Sequence, residues 1–144
     1  MSNPTGTRGV IIIDDSFGPI TYYMEALRLK GIVPRHIPTA KEAIEHIDGS
    51  EPSADLYLLD IMMPVTGSGL DERATECGLT TGLHLLKRIQ AKRPTAPVIL
   101  LTNISSADII HQLAAFNDVT ILSKPDTLPM ELAAVVVNQL NLKS

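Results

Sequence analysis

Four short apolar runs in this chain each stop at polar residues of the types that handle phosphate. Val10-Ile11-Ile12-Ile13 stops at Asp14-Asp15, and Leu56-Tyr57-Leu58-Leu59 stops at Asp60. Val98 to Leu101 stops at Thr102, and Val119 to Leu122 leads through Ser123 to Lys124. If these ends converge, three carboxylates face one ammonium, a net charge of about −2, and like charges at short range repel or raise a pKa. A divalent, oxygen-seeking cation relieves the repulsion, and Mg²⁺ is the usual choice where phosphate is handled. Asp15 and Asp60 are the expected direct ligands, with Asp14 beside them in the metal set and the backbone carbonyl of Met62 as a further donor. With the cation and Lys124 neutralising charge, Asp60 is a competent nucleophile toward an already activated phosphoryl donor. Such a transfer needs little beyond alignment and charge stabilisation.

Each residue also has an ordinary reading. Asp14-Asp15 could cap a helix, Asp60 could sit in a turn, Thr102 could be a cap or a strand residue, and Lys124 could be solvated. Two carboxylates after a four-residue apolar run exceed what a cap needs. The histidines His36, His46, His84 and His111 lack metal-ligand spacing and are expected at solvated or half-buried positions. Tyr22, Tyr23 and Tyr57 are expected to pack.

The elements that must hold these ends can be read from periodicity. The continuous β-branched run at Val10 predicts a strand buried on both faces. Ile20, Tyr23, Met24 and Leu27 form a helical stripe, with Pro19 in the first turn and Gly31 as the stop. Val33 to Pro38 carries prolines that cannot donate to a ladder, which places this strand at a sheet edge. Ala40, Ala43, Ile44 and Ile47 predict a second helix capped by Thr39 and ended by Asp48-Gly49-Ser50. Leu56 to Asp60 is the third strand; Gly82, Leu85, Leu86 and Ile89 mark a helix closed before Pro94. A fourth strand at Val98, a weaker helix around Ala107 to Ala115 and a fifth strand at Val119 follow. Leu128, Leu132, Val135, Val136 and Leu140 stripe the C-terminal helix. Five βα repeats imply a parallel sheet with helices on both faces. Ligands of such sheets bind beyond the carboxyl ends of the strands, where strand order reverses.

Composition sets the bounds. The 144 residues suit one domain, with 44% apolar residues and only 3% aromatic, so the core must be aliphatic. The net charge of −4 gives no basic footprint for nucleic acid. Cys77 is the single cysteine, which excludes an internal disulfide and a cysteine metal cage. No apolar run approaches the ~20 residues of a membrane span. Residues 1–8 read as a flexible polar tail without a secretory signal, so a cytoplasmic location is expected.

Taken together, Asp14-Asp15, Asp60 within Leu58-Leu59-Asp60-Ile61-Met62-Met63-Pro64, Thr102 and Lys124-Pro125 resemble the response-regulator receiver domain of two-component signalling. Gly82-Leu83-His84-Leu85-Leu86 resembles the opening of that family's third helix. The resemblance implies a receiver domain over 9–144, an α/β doubly wound, flavodoxin-like fold with strand order 2-1-3-4-5. It implies transfer from a sensor histidine kinase or histidine phosphotransfer protein to Asp60, and a downstream protein target. Thr102 and Lys124 would bond the phosphate, and the Lys124-Pro125 peptide would be cis. The readout would be a shift of the surface formed by the helix around Ala107 to Ala115, the fifth strand and the C-terminal helix. The family is a phosphoacceptor, not an enzyme beyond its own phosphorylation and slow dephosphorylation.

Some positions depart from that pattern. The stretch at 65–81 is longer than the family's, and a loop of that length is usually functional or disordered. Ile121 stands where Tyr or Phe is common, and Asn103 where a small residue is. Met62 and Ile104 are apolar at the two positions that tune water attack, so slow loss of phosphate is expected. Other classes fit less well. A phosphate-independent receiver-like scaffold remains the main alternative. A phosphatase of the haloacid dehalogenase type needs a carboxylate two residues after its nucleophile, and position 62 is Met. A flavodoxin-like cofactor binder would have Asp14 and Asp15 repelling its phosphate.

Overall fold

The computed structural model describes residues 8–16, 18–49, 54–61, 81–102, 111, 116 and 119–143. Within them the chain builds β1 (Arg8–Ile13), α1 (Gly18–Leu29), β2 (Ile32–Ile37), α2 (Ala40–Asp48) and β3 (Leu56–Leu59). α3 (Thr81–Lys92), β4 (Val98–Thr102), β5 (Val119–Ser123) and α4 (Pro129–Lys143) follow. The five strands form one parallel sheet in the order β2-β1-β3-β4-β5. This is the expected topology, with β2 at one edge. Val10 pairs in register with Pro34, which has no N–H for a ladder and is tolerated because β2 has only one neighbour.

The apolar runs are continuous because the sheet is covered on both sides. Alternate side chains of a strand point to opposite faces. Ile11 and Ile13 of β1, Tyr57 and Leu59 of β3, and Val98 and Leu100 of β4 pack with Ala43, Ile47, Leu85, Leu86 and Ile89 of α2 and α3. Val10, Ile12, Leu56, Leu58, Ile99 and Leu101 pack instead with Ile20, Tyr23 and Leu27 of α1 and Leu132, Val136 and Leu140 of α4. Two aliphatic layers therefore sandwich the three central strands.

The helix ends follow local chemistry. Thr39 Oγ1 accepts from Glu42 N at 3.1 Å, capping α2. Gly31 ends α1 with φ of 78°, a left-handed conformation open to glycine without strain. Arg93 closes the other end of α2 from a distant part of the sequence, its guanidinium donating to His46 O at 2.9 Å and Gly49 O at 3.3 Å.

Three expectations need correction. His46 is buried, at 4% exposure, because its Nε2 meets Tyr57 Oη at 2.9 Å inside the α2–β3 layer. Tyr22 does not pack but faces solvent. Among the described residues no peptide bond is cis, so the Lys124-Pro125 bond is trans. Thr127 N donates to Lys124 O, which puts Pro125 second in a turn, where trans proline with its fixed φ is favoured. The helix expected around Ala107 to Ala115 and the loop at 65–81 lie almost wholly outside the described residues.

Candidate functional site

The sheet register brings the acids to one level. Ile13 pairs with Leu59, so Asp14 and Asp60 are the next residues on adjacent strands. Each backbone is tied to a neighbouring strand end: Asp14 N donates to Ile37 O at 3.2 Å, and Asp60 N to Ile13 O at 2.9 Å. β1 and β3 are also where strand order reverses, since the chain leaves β1 outward to β2 and returns to β3 on its other side.

Asp14, Asp15 and Asp60 each place a carboxylate oxygen within 4.8 Å of the others. Asp14 and Asp60 are nearly sealed from solvent, at 2% and 6% exposure, whereas Asp15 is exposed and gives the cluster an open side. Lys124, just past β5, leans across to them. Its Nζ lies 2.6 Å from Asp14 Oδ2 and 3.6 Å from Asp60 Oδ2. Burial works against the ammonium charge, but the hydrogen bond to Asp14 and the fields of Asp60 and Asp14 outweigh it and raise the lysine pKa above its usual range. The amine is charged at neutral pH and rests mainly on Asp14.

Asp14 is held at its other oxygen as well. Ser16 N and Ser16 Oγ both donate to Oδ1, at 2.9 and 2.7 Å. Its backbone carbonyl meets His36 Nε2 at 2.6 Å, a brace from the edge strand. Asp60 is backed by helix α3. Gly82 N donates to Ile61 O at 2.7 Å, and a Cβ on Gly82 would overlap Asp60 O and Ile61 Cα. Only glycine lets the helix start this close to the backbone of Asp60 and Ile61.

The remaining sequence candidates divide by position. Thr102 ends β4 in register with Ser123, the residue before Lys124. That places it at the same end of the sheet, with its side chain outside the described residues. Met62, Asn103 and Ile104 also lie outside them. His36, Tyr23 and Gly82 were missed as site neighbours. Gly82 opens the helical stripe just after the acidic strand end, which was a readable signal; His36 and Tyr23 gave none.

The donors suit a hard cation. Oxygens around Mg²⁺ lie at about 2.1 Å, so opposite ligands stand about 4.2 Å apart. A cluster that fits within 4.8 Å reaches that span with small side-chain movements. An all-oxygen, net-anionic pocket with one ammonium at its edge can bind such an ion and place a carboxylate beside it as a phosphoryl acceptor.

The family model described as response regulator receiver domain matches residues 10–136. No curated protein matches the chain significantly. Among solved structures, a CheY-like response regulator receiver domain protein from Methanospirillum hungatei JF-1 is similar, with 22% identity, TM-score 0.73, and 95% of this chain and 96% of that one covered. The receiver domain of the Francisella response regulator 1452 shares 24% identity at TM-score 0.70, covering 95% and 99%. The BeF3-activated receiver domain of DrrB, a Thermotoga maritima protein, shares 22% at TM-score 0.71, covering 94% and 98%.

Proposed function

Because the chain belongs to the response regulator receiver domain family, we propose that it is a phosphorelay switch in which Asp60 accepts the phosphoryl group. The family serves phosphorelay signalling rather than classical enzymology, and among the described residues no helix is long and apolar enough to cross a membrane. The observation that carries the proposal is the cluster itself: three carboxylates within 4.8 Å, and one lysine amine bridging two of them.

An Asp60 carboxylate oxygen attacks phosphorus in line with the donor. The O–P bond forms as the P–N bond of a phosphohistidine breaks, and the imidazole nitrogen leaves with the electron pair. The donor is a sensor histidine kinase or a histidine phosphotransfer protein meeting this domain in the cytoplasm. Asp14, Asp15 and Asp60, with the Met62 carbonyl, are the residues proposed to hold Mg²⁺, which supplies charge neutralisation at the phosphoryl oxygens. Lys124 Nζ moves from Asp14 to the new phosphate, a short swing for a side chain already 3.6 Å from Asp60. Thr102 bonds the same phosphate from the end of β4. The altered charge balance then favours a second packing of the surface that meets the downstream protein. The receiver unit spans 9–144. Met62 and Ile104, apolar at the two sequence positions that tune water attack in this family, make the phosphorylated state long-lived.

The test is phosphorylation by acetyl phosphate or phosphoramidate with Mg²⁺, read by mass spectrometry. The wild type should gain one phosphoryl group and Asp60→Asn none. Equal uptake by both, or none by the wild type, overturns the proposal. A second reading, a phosphate-independent scaffold, draws on Ile121, which is 41% exposed on β5 and carries no ring to swing inward. Beryllofluoride separates the two, and the similar DrrB domain is known in a BeF3-activated form. A rise in melting temperature with beryllofluoride and Mg²⁺ supports the switch; no change supports the scaffold.

A further inference from the structure

Tyr23 of α1 reaches the turn that carries Lys124. Its hydroxyl lies 3.0 Å from Thr127 O and 3.4 Å from Lys124 O. A phenol has one proton to donate, so that proton is shared between the two carbonyls and favours Thr127. The ring is anchored in the layer between the sheet, α1 and α4. Burial, the largest effect, holds the phenol pKa above its usual range; Lys124 opposes this and Asp14 adds to it. The group is therefore a protonated donor at neutral pH.

Among the described residues, no other side chain holds the backbone of the turn. Its own backbone hydrogen bonds are long, Asp126 N to Ser123 O at 3.2 Å and Thr127 N to Lys124 O at 3.4 Å. Pro125 brings no N–H at all. Lysine carries its charge on a flexible four-carbon stem, so where Nζ can reach depends on where the backbone is held. That reach matters, because Nζ rests 2.6 Å from Asp14 and must cover a further step to a phosphate on Asp60.

We propose that Tyr23 is a positioning residue for phosphoryl transfer, its hydroxyl holding the backbone of the Lys124 turn so that the amine reaches the phosphate. This rests on the roles given above to Asp60 and Lys124. Tyr23→Phe keeps the buried ring and removes only the donor. The experiment compares wild type, Tyr23→Phe, Lys124→Ala and the double variant. It reads the maximal rate of phosphorylation by phosphoramidate and, by calorimetry, the Kd for Mg²⁺. Tyr23→Phe should slow the maximal rate about fivefold to tenfold, as expected for one lost hydrogen bond and a small misplacement. Its Mg²⁺ affinity should stay within about twofold, since no Mg²⁺ donor is moved. In the Lys124→Ala background the same change should have no further effect on the residual rate. A merely structural role would lower the melting temperature and leave the rate alone, or would slow both backgrounds equally; either result overturns the proposal. A wild type that takes up no phosphoryl group instead sinks the assignment of Asp60, and Tyr23 with it.

Discussion

Removing the Lys124 amine tests the electrostatics of the site most directly. In Lys124→Ala, Asp14 Oδ2 loses a partner at 2.6 Å and Asp60 loses one at 3.6 Å. Both carboxylates are almost wholly buried and stay within 4.8 Å of each other and of Asp15. Breaking one partner of a buried pair costs about 3–5 kcal/mol. The low end applies, because Ser16 still satisfies Asp14 Oδ1 and the Lys124 side chain keeps 12% exposure. A loss of about 3 kcal/mol in a domain of this size lowers the melting temperature by roughly 6–12 °C. The deficit should appear in EDTA and shrink with Mg²⁺, because a more anionic pocket binds the cation more tightly. At saturating Mg²⁺ both proteins gain, and the gap shrinks by about 1.4 kcal/mol for each tenfold by which the variant binds the cation more tightly. Thermal melts followed by circular dichroism, with EDTA and with Mg²⁺, measure both quantities. A melting temperature in EDTA within about 2 °C of wild type would show that the amine does not neutralise these acids. An equal Mg²⁺ increment in both proteins would show that it does not compete with the cation.

The same pair gives a pH dependence. The pKa of Lys124 is raised in the folded state, so its stabilisation is complete below the unfolded lysine pKa and is lost as pH rises through the folded value. The stability gap between wild type and Lys124→Ala in urea should therefore be full at neutral pH and narrow in strong alkali; a constant gap refutes the shift. Gly82→Ala presses a methyl group onto the backbone of Asp60 and Ile61, where no side chain can rotate away, and should cost about 1–3 kcal/mol in chemical denaturation. Tyr57→Phe leaves buried His46 without its hydroxyl partner and should cost about 1–3 kcal/mol, with phosphorylation by phosphoramidate unchanged. Arg93→Ala removes the donor to the His46 and Gly49 carbonyls and should cost about 1 kcal/mol, seen first as faster amide exchange at the end of α2.

How much of this was legible in the sequence depends on the range of the cause. The strands were readable because a strand covered on both faces must be apolar at every position, so the first polar residue marks its end. Asp14 and Asp60 were found that way, Lys124 by its place just past the fifth strand, and the prolines of Val33 to Pro38 placed β2 at an edge. Burial of His46 was within reach, since it lies three residues after Ala43 on the apolar stripe of α2; a histidine on that stripe needs a buried partner, and Tyr57 is one. The preference of Lys124 for Asp14 over Asp60 was not readable, because about an ångström of side-chain placement decides it. Nor was the reach of Tyr23 to Thr127, across 104 residues of sequence, or the trans peptide before Pro125. These depend on the register and tilt of elements that meet only after folding.

The division of the interior into two aliphatic layers has a practical consequence. The side chain that holds the backbone of the Lys124 turn comes from α1, in the layer it shares with α4, whereas His46, Tyr57 and Arg93 serve the opposite layer. Engineering can therefore treat the molecule as two workpieces. The α2–α3 half can be hardened by redesigning its interior away from Gly82 and Ile61, which back Asp60, with the half beside α1 left untouched to keep Tyr23 on the Lys124 turn.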